Sequence, residues 1–271
     1  MNSTFFIFIF LKHKNYVMNS DILSDKEFRR YASQIKLPSV GIEGQEKLKK
    51  SKVIVIGAGS KGTTVLQNLA TVGIGEIGIS DNFIVEEKSL SKQRLYGDKD
   101  IGKQKAIISK QKLAEINQLV KYELFNICID KNNILEICDE YSLLVDATDN
   151  FAAKYLLNDA AIILHKPLVF GHIHNATGMV SVFNYNEGPS LRCLFPDIPS
   201  KNRKPELKNI ASFAILSSII GTIMANEVLK ILLNIENILS GKLLNFNILN
   251  YTISFQEIIK NPKNLKIKSL A

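Results

Sequence analysis

Residues 53–81 read VIVIGAGSKGTTVLQNLATVGIGEIGISD. Val53–Ile56 is a short β-branched apolar run, suited to a strand buried on both faces. Gly57, Gly59 and Gly62 follow in the spacing G-x-G-x-x-G, and Val65, Leu66, Leu69 and Val72 then recur at helical spacing. Gly57 permits a tight turn, Gly59 lets backbone approach a phosphate, and Gly62 lets the helix sit close to the strand. The unpaired N–H groups of the helix N-terminus favour an anion. A second strand, Glu76–Ser80, ends on Asp81, whose carboxylate can accept hydrogen bonds from ribose hydroxyls. The glycine spacing alone is a weak signal. Between a strand and a helix, with an acid closing the next strand, it predicts a nucleotide site, against the alternative of a glycine-rich turn with no ligand.

The chain has 271 residues, enough for one large α/β domain or two small ones. Hydrophobic residues make up 46% and charged residues 22%, an ordinary balance for a globular protein. Lys and Arg number 34 against 26 Asp and Glu, leaving +8. The excess favours an acidic partner or a phosphate-bearing ligand, but much of it falls in surface segments such as 47–52 and 201–208, with no nucleic-acid motif and no basic stripe interleaved with aromatics. Nucleic acid is therefore not an expected partner. The three cysteines, Cys128, Cys138 and Cys193, form no C-x-x-C pair, which fits unbridged thiols in a reducing cytoplasm. Phe5–Leu11 is apolar but far below the roughly 20 residues of a membrane span, and its basic residues follow it instead of preceding it. Residues 1–17 are read as a disordered tail or a mis-assigned start, outside the fold.

Further along, Asp25–Ile35 is expected to be a helix capped by Ser24 or Asp25. Pro38, Gly41 and Gly44 are expected to break it before a short basic helix, Gln45–Lys50. The polar segment 82–104, with Lys92 and Arg94, reads as a loop over a site or as a plain solvated loop. Lys103–Asn117 reads as a helix, Lys121–Ile127 as a strand, Asn132–Tyr141 as a helix and Leu143–Asp146 as a buried strand running into Ala-Thr-Asp-Asn. This alternation predicts an α/β, Rossmann-like, doubly wound and mostly parallel sheet, with Asp81 and Asp149 at the carboxyl edge where ligands bind. Asn150–Leu164 is expected to be a helix, Pro167–Phe170 a strand, and Gly178–Tyr185 a strand at a sheet surface. Asn186–Asn209 reads as a long crossover loop, and Ile210–Leu233 as a core or dimer helix, not a membrane span. Leu243–Ile248 and Tyr251–Phe255 form an antiparallel C-terminal hairpin, and the basic tail 261–271 is expected to fray. With no repeat and no linker, residues 18–271 are read as one domain.

From about Phe28 to Phe255 the chain resembles the ThiF/MoeB/HesA family, bacterial relatives of the ubiquitin-activating enzymes. The matching blocks are RYASQIKLPSVGIEGQEKLKKSKVIVIGAGSKG, GIGEIGISDNFIVEEKSLSKQ, DIGKQKA, LVDATDNFAAKYLLNDA, KPLVFG and RCLFPDIP, in the family order. The resemblance implies a cytoplasmic, homodimeric α/β enzyme that uses ATP and Mg²⁺. It implies adenylation of the C-terminal glycine of a small ubiquitin-like sulfur carrier of the thiamine or molybdopterin type. It assigns Asp81 to the ribose, Lys105 to the ATP phosphates, and Asp149 to Mg²⁺ and the α-phosphate. Gln93 falls in the family's Arg-Gln pair, with Lys92 in the arginine's place. Lys92, Lys105 and the metal on Asp149 would neutralise charge at the α-phosphorus, and Gly57, Gly59, Ser60 and Gly62 would form the phosphate loop. No general base is needed, because the attacking carboxylate is already ionised.

The chain also departs from that pattern. Ser60 replaces the third loop glycine, and Lys61 replaces an apolar residue and is expected to point into solvent. Ser33 stands where an arginine would reach ATP from the partner subunit, with Arg30 retained nearby, and Ser89 replaces an asparagine. Of two zinc-binding C-x-x-C pairs only Cys193 remains, with Ser190 in its mate's place, so no zinc is expected. Cys193 is then read as a buried thiol, His172 and His174 as loop side chains, and Cys128 and Cys138 as core residues. The acyl-accepting cysteine of some relatives falls at 205–212, where none occurs, so the reaction is expected to stop at the acyl-adenylate. Two other readings compete: a degenerate module that keeps the fold without turning over ATP, and an NAD-dependent oxidoreductase, which the glycine loop and Asp81 alone would allow.

Overall fold

In the strand β1 (Lys52–Ile56), Val53 and Val55 pack into one hydrophobic cluster and Ile54 and Ile56 into another. That alternation is the period-two geometry of a strand, and it produces three layers with helices on both faces. The computed structural model describes residues 21–196 and 213–270. Residues 1–17, the basic run 201–208 and the 205–212 region lie outside them.

After β1 come α3 (Ser60–Val72), β2 (Glu76–Ser80), α4 (Lys105–Ile116), β3 (Lys121–Phe125), α5 (Ile134–Asp139), β4 (Leu143–Asp146), α6 (Phe151–Ile163) and β5 (Leu168–His174). β6 (Thr177–Phe183), α7 (Leu191–Leu194), α8 (Ala214–Leu233), β7 (Lys242–Asn247) and β8 (Ile253–Glu257) follow, and α1 (Asp25–Ile35) and α2 (Gly41–Lys50) precede β1. All eight strands form one sheet in the order β3-β2-β1-β4-β5-β6-β7-β8. It is parallel from β3 to β5 and antiparallel from β5 to β8. The chain reverses its direction of travel between β1 and β4. A crevice opens there at the carboxyl ends of the strands.

Local chemistry accounts for the boundaries. α1 starts where predicted because Ser24 accepts from the Glu27 backbone N–H while the Glu27 carboxylate accepts from the Ser24 N–H, a reciprocal capping box. α2 begins earlier than expected. Gly41 opens it at φ +62°, and Gly44 lies inside it where a Cβ would sit 3.1 Å from Leu233, so these glycines start and pack the helix instead of breaking it. α3 ends on Gly73 in the left-handed conformation.

Three strand readings change. β3 stops at Phe125, β5 runs on to His174, and β6 is interior, not superficial, because β5 and β7 flank it. α8 is long and apolar enough to cross a bilayer, but here Leu216, Ile220, Met224 and Val228 are fully buried. It lies close on the sheet because Gly171 and Gly178 leave room for Met224 and Ile220; a Cβ at either glycine would come within 2.2 Å of the helix side chain.

The tail also departs from expectation. A short 3-10 turn at Pro262–Leu265 docks against α7: the Ser190 hydroxyl donates to the Asn264 carbonyl at 3.0 Å, and the Asn264 amide donates to the Arg192 carbonyl at 2.8 Å. The Asn261 N–H donates to the half-buried Cys193 sulfur at 3.4 Å. Ser190 and Cys193 therefore meet the 261–264 segment through a hydrogen-bonded clasp.

Candidate nucleotide-binding active site

At the switch point between β1 and β4 lies a cavity of about 1210 Å³. Gly57 turns the chain out of β1 at φ +101°, with its Cα so near Ala147 that a Cβ would meet the Ala147 carbonyl at 2.9 Å. Gly62 sits beneath the loop, and a Cβ there would lie 1.8 Å from the Gly57 carbonyl oxygen. Gly59 differs: nothing lies within 4 Å of where its Cβ would be, because it faces the cavity. α3 starts at Ser60 with no side-chain cap, so its first N–H groups face the cavity as an anion site.

Asp81, at the end of β2, is nearly buried and fixed at both oxygens: it accepts from the Ala58 and Phe83 N–H groups, each at 2.8 Å. The segment 82–104 covers the cavity. It pairs with itself, Val85 N–H to the Lys103 carbonyl at 2.8 Å, and carries a small core of Val85, Leu95 and Tyr96 with Ile108 of α4. The Tyr96 hydroxyl donates to the Ala58 carbonyl at 2.8 Å, tying this cover to the glycine loop. Burial pushes that phenol's pKa well above its ordinary value. Lys105 opens α4, mostly buried, with its ammonium 5.7 Å from the Phe83 ring. Gln93 is buried and its carbonyl oxygen has no partner, while Lys92 and Ser89 also line the cavity.

The floor comes from β4 and α6. Asp149 is 63% exposed and forms an ion pair with Lys61, whose side chain is 1% exposed. Lys61 thus points inward, contrary to expectation. Its helix packs against α8, where Gly221 meets the Lys61 carbonyl, and its ammonium finds a carboxylate 88 positions away. The crowding of protein around Asp149 works against its ionisation, but Lys61, aided by Lys154, holds its pKa below the usual value. One layer down, Lys154 is fully buried and donates to Asp146 at 3.1 Å, to the Thr148 carbonyl at 2.9 Å and to the Gly171 carbonyl at 3.2 Å. Its ammonium lies 4.8 Å from the Phe170 ring. Burial lowers its pKa, and Asp146 opposes that. His172 is not a loop residue: it lies in β5, buried against Phe151 and Phe170, with Nδ1 unpartnered. Burial, then the charges of Lys154 and Lys61, push its pKa down to about 3. His174 is exposed at the strand end.

Gly57, Gly59, Ser60, Asp81, Lys92, Gln93, Lys105 and Asp149 all line this one cavity, with Gly62 supporting the loop from below. Arg30 lies elsewhere, bound to the Ile116 carbonyl at the end of α4. Cys128 is exposed on the loop after β3 and lines the cavity edge, so it is not a core residue; Cys138 is, and burial pushes its thiol up to about 12. Lys154 and Asp146 carry no site role in the sequence reading, while Lys61 and His172 depart from the solvent-facing and loop positions expected of them. The usable signal was a lysine in an apolar stretch, Ala-Ala-Lys-Tyr-Leu-Leu, directly after an acid-ended strand.

A nucleotide fits this donor set. The buried, unpaired Gln93 oxygen awaits a donor, and the open space at Gly59 admits a phosphate. Among the described residues no cluster of three His, Cys, Asp or Glu could hold a metal. A lone carboxylate such as Asp149 suits Mg²⁺, which is held by one or two carboxylates plus substrate phosphates.

The family model described as "ThiF family" matches residues 31–267. The chain is 41% identical over 243 residues to the sulfur carrier protein adenylyltransferase of Thermus thermophilus, covering 88% of this chain and 90% of that one. It is 38% identical over 265 residues to the probable molybdopterin-synthase adenylyltransferase of Porphyra purpurea, covering 94% and 69%. The crystal structure of PaaA has the same fold, with a TM-score of 0.79 over 90% of this chain and 87% of that one, at 24% identity.

Proposed function

Because the chain belongs to the ThiF family, we propose that it is an adenylyltransferase that activates the C-terminal glycine carboxylate of a small ubiquitin-like sulfur carrier with ATP. The observation that carries this reading is the gathering of Asp81, Lys105 and Asp149 around one cavity at the sheet's switch point, from three distant stretches of chain. A carboxylate oxygen attacks the α-phosphorus, the bond to the α–β bridging oxygen breaks, and pyrophosphate leaves. No proton moves, because the attacking carboxylate is ionised at neutral pH.

Each residue then has a task. Asp81, pinned by two backbone N–H groups, presents fixed acceptors to a ribose. The N-terminus of α3 receives phosphate at Gly59 and Ser60. Lys105 and Lys92 neutralise charge that grows in the transition state, an effect strongest in a site pre-organised before substrate arrives. Asp149 would hold Mg²⁺ together with the phosphates, and that ion would polarise the phosphoryl oxygens. The edge strand β8 and its flanks support a protein partner: Ile253 and Phe255 in the strand, with Tyr251 before it and Ile259 after it, are each at least 60% exposed. We take the active form to be a homodimer. No observation favours the degenerate module or the NAD-dependent oxidoreductase.

ATP–pyrophosphate exchange tests the proposal, measured with and without a small carrier protein ending in Gly-Gly. Exchange should require the carrier and vanish in Lys105→Ala and Asp149→Ala, both of which should keep the wild-type circular dichroism. Carrier-independent silence of the wild type at saturating ATP and Mg²⁺, with every such carrier tried, would refute it.

A further inference from the structure

Lys61 has no task in the reaction as described, yet its placement is unusual. A lysine side chain that is 1% exposed carries a large desolvation cost unless it is paired. Its partner, Asp149, is the opposite case: 63% exposed and facing the cavity. Asp149 therefore lies between the buried ammonium and the open cavity. The two lysines and two aspartates of the floor, Lys61 with Asp149 and Lys154 with Asp146, sum to zero charge. Asp146 is fully committed: one oxygen accepts from the Thr148 N–H at 3.0 Å and hydroxyl at 2.6 Å, and the other from Lys154. Among the described residues, Lys61 is the cation bonded to Asp149. If Asp149 turns to another cation, Lys61 is left buried and positive beside the N-terminus of α3, its own helix.

We infer that Lys61 is a phosphate-binding residue of the site, held in reserve by Asp149 and taking the nucleotide's α-phosphate as its partner when the nucleotide enters over Gly59 and Ser60. The inference rests on the adenylyltransferase reading, which supplies the ligand. A phosphate oxygen entering over the glycine loop restores the floor's neutrality once Asp149 is engaged elsewhere. The N–H groups of Ser60 and Lys61, unpaired as helix N-terminal groups are, aim at the same place. Lys61 differs from Lys105 and Lys92 in lying on the glycine loop's own helix, so loop and charge arrive together.

Isothermal titration without metal isolates this contact, because adenosine and AMP differ only by the α-phosphate. In Asp149→Asn, where Lys61 is free without metal, adding Lys61→Met should leave adenosine affinity unchanged and lower AMP affinity by about ten- to a hundredfold, the loss of one charge-assisted hydrogen bond. Asp149→Asn, which frees Lys61 and removes a negative charge, should tighten AMP binding several-fold. That gain should shrink at least threefold in the Lys61→Met/Asp149→Asn double variant. Equal losses for AMP and adenosine on adding Lys61→Met to Asp149→Asn would overturn the inference, since Lys61 would then only shape the loop. So would an AMP gain from Asp149→Asn that persists in full without Lys61. Failure of the wild type to bind adenosine at all would overturn the nucleotide reading itself, a separate and recognisable result.

Discussion

Replacing Lys154 with methionine keeps most of the side-chain volume and removes a charge, so its effect measures the buried ion pair and little else. The Lys154 ammonium makes three hydrogen bonds, to Asp146, Thr148 and Gly171, and its side chain is fully buried. Methionine would leave the Asp146 oxygen that faces Lys154 without a donor, and two carbonyl oxygens short of one. Stranding one member of a buried pair costs about 3–5 kcal/mol. At this size a change of 1 kcal/mol moves the melting temperature by about 2–4 °C, so a drop on the order of 10 °C is expected. Urea unfolding followed by circular dichroism gives the free energy directly. Lys154→Met/Asp146→Asn should recover at least half of the loss, because the cost lies in the unpaired charge and not in the missing contacts. A single-variant loss below about 1 kcal/mol would refute the reasoning, since an uncompensated buried carboxylate is never that cheap. A double variant less stable than the sum of the singles would refute it too.

Two further predictions concern the same region. His172 is buried and neutral in the folded state with a pKa of about 3, whereas an unfolded histidine titrates near 6.5. The folded pKa is depressed, so the contribution is fully present above about 6.5 and is lost as the pH falls toward 3. Between pH 6.5 and 5 wild-type stability should drop by roughly 1–2 kcal/mol more than that of His172→Gln, in urea titrations at matched ionic strength. Equal slopes would exclude a neutral buried imidazole. The glycines should separate cleanly: Gly62→Ala places a methyl 1.8 Å from the Gly57 carbonyl and should cost about 3 kcal/mol, whereas Gly59→Ala has free space, should melt like the wild type, and should lose ATP affinity. Similar melting temperatures for the two variants would contradict the loop geometry.

The parallel half of the sheet was legible because strands covered on both faces are continuous apolar runs, and Val53–Ile56 and Leu143–Val145 are such runs. α1 was legible at its start because Ser24 and Glu27 satisfy each other within one turn. The antiparallel half was harder to read. β5 continues through Gly171, His172 and His174 only because β6 pairs along its whole length, and a lone sequence carries no record of that partner. In the site, Asp81, Lys105 and Asp149 were readable from the motifs around them. Lys61 was not: a lysine in the first turn of a helix normally extends into water, and the carboxylate that draws it inward belongs to the loop between β4 and α6. The same holds for Lys154, whose acceptors come from β4, the loop after it and β5.

The tail's attachment beside α7 has a mechanical consequence. Ser190, Cys193 and Arg192 hold residues 261–264 through a few neutral hydrogen bonds, each worth about 1 kcal/mol, and beyond them only the half-buried Leu270 packs against the core among the described residues. Such a seam unzips long before the sheet melts. Amide protons at the carboxyl end should therefore trade with deuterium early, through a local opening the nucleotide cavity never feels.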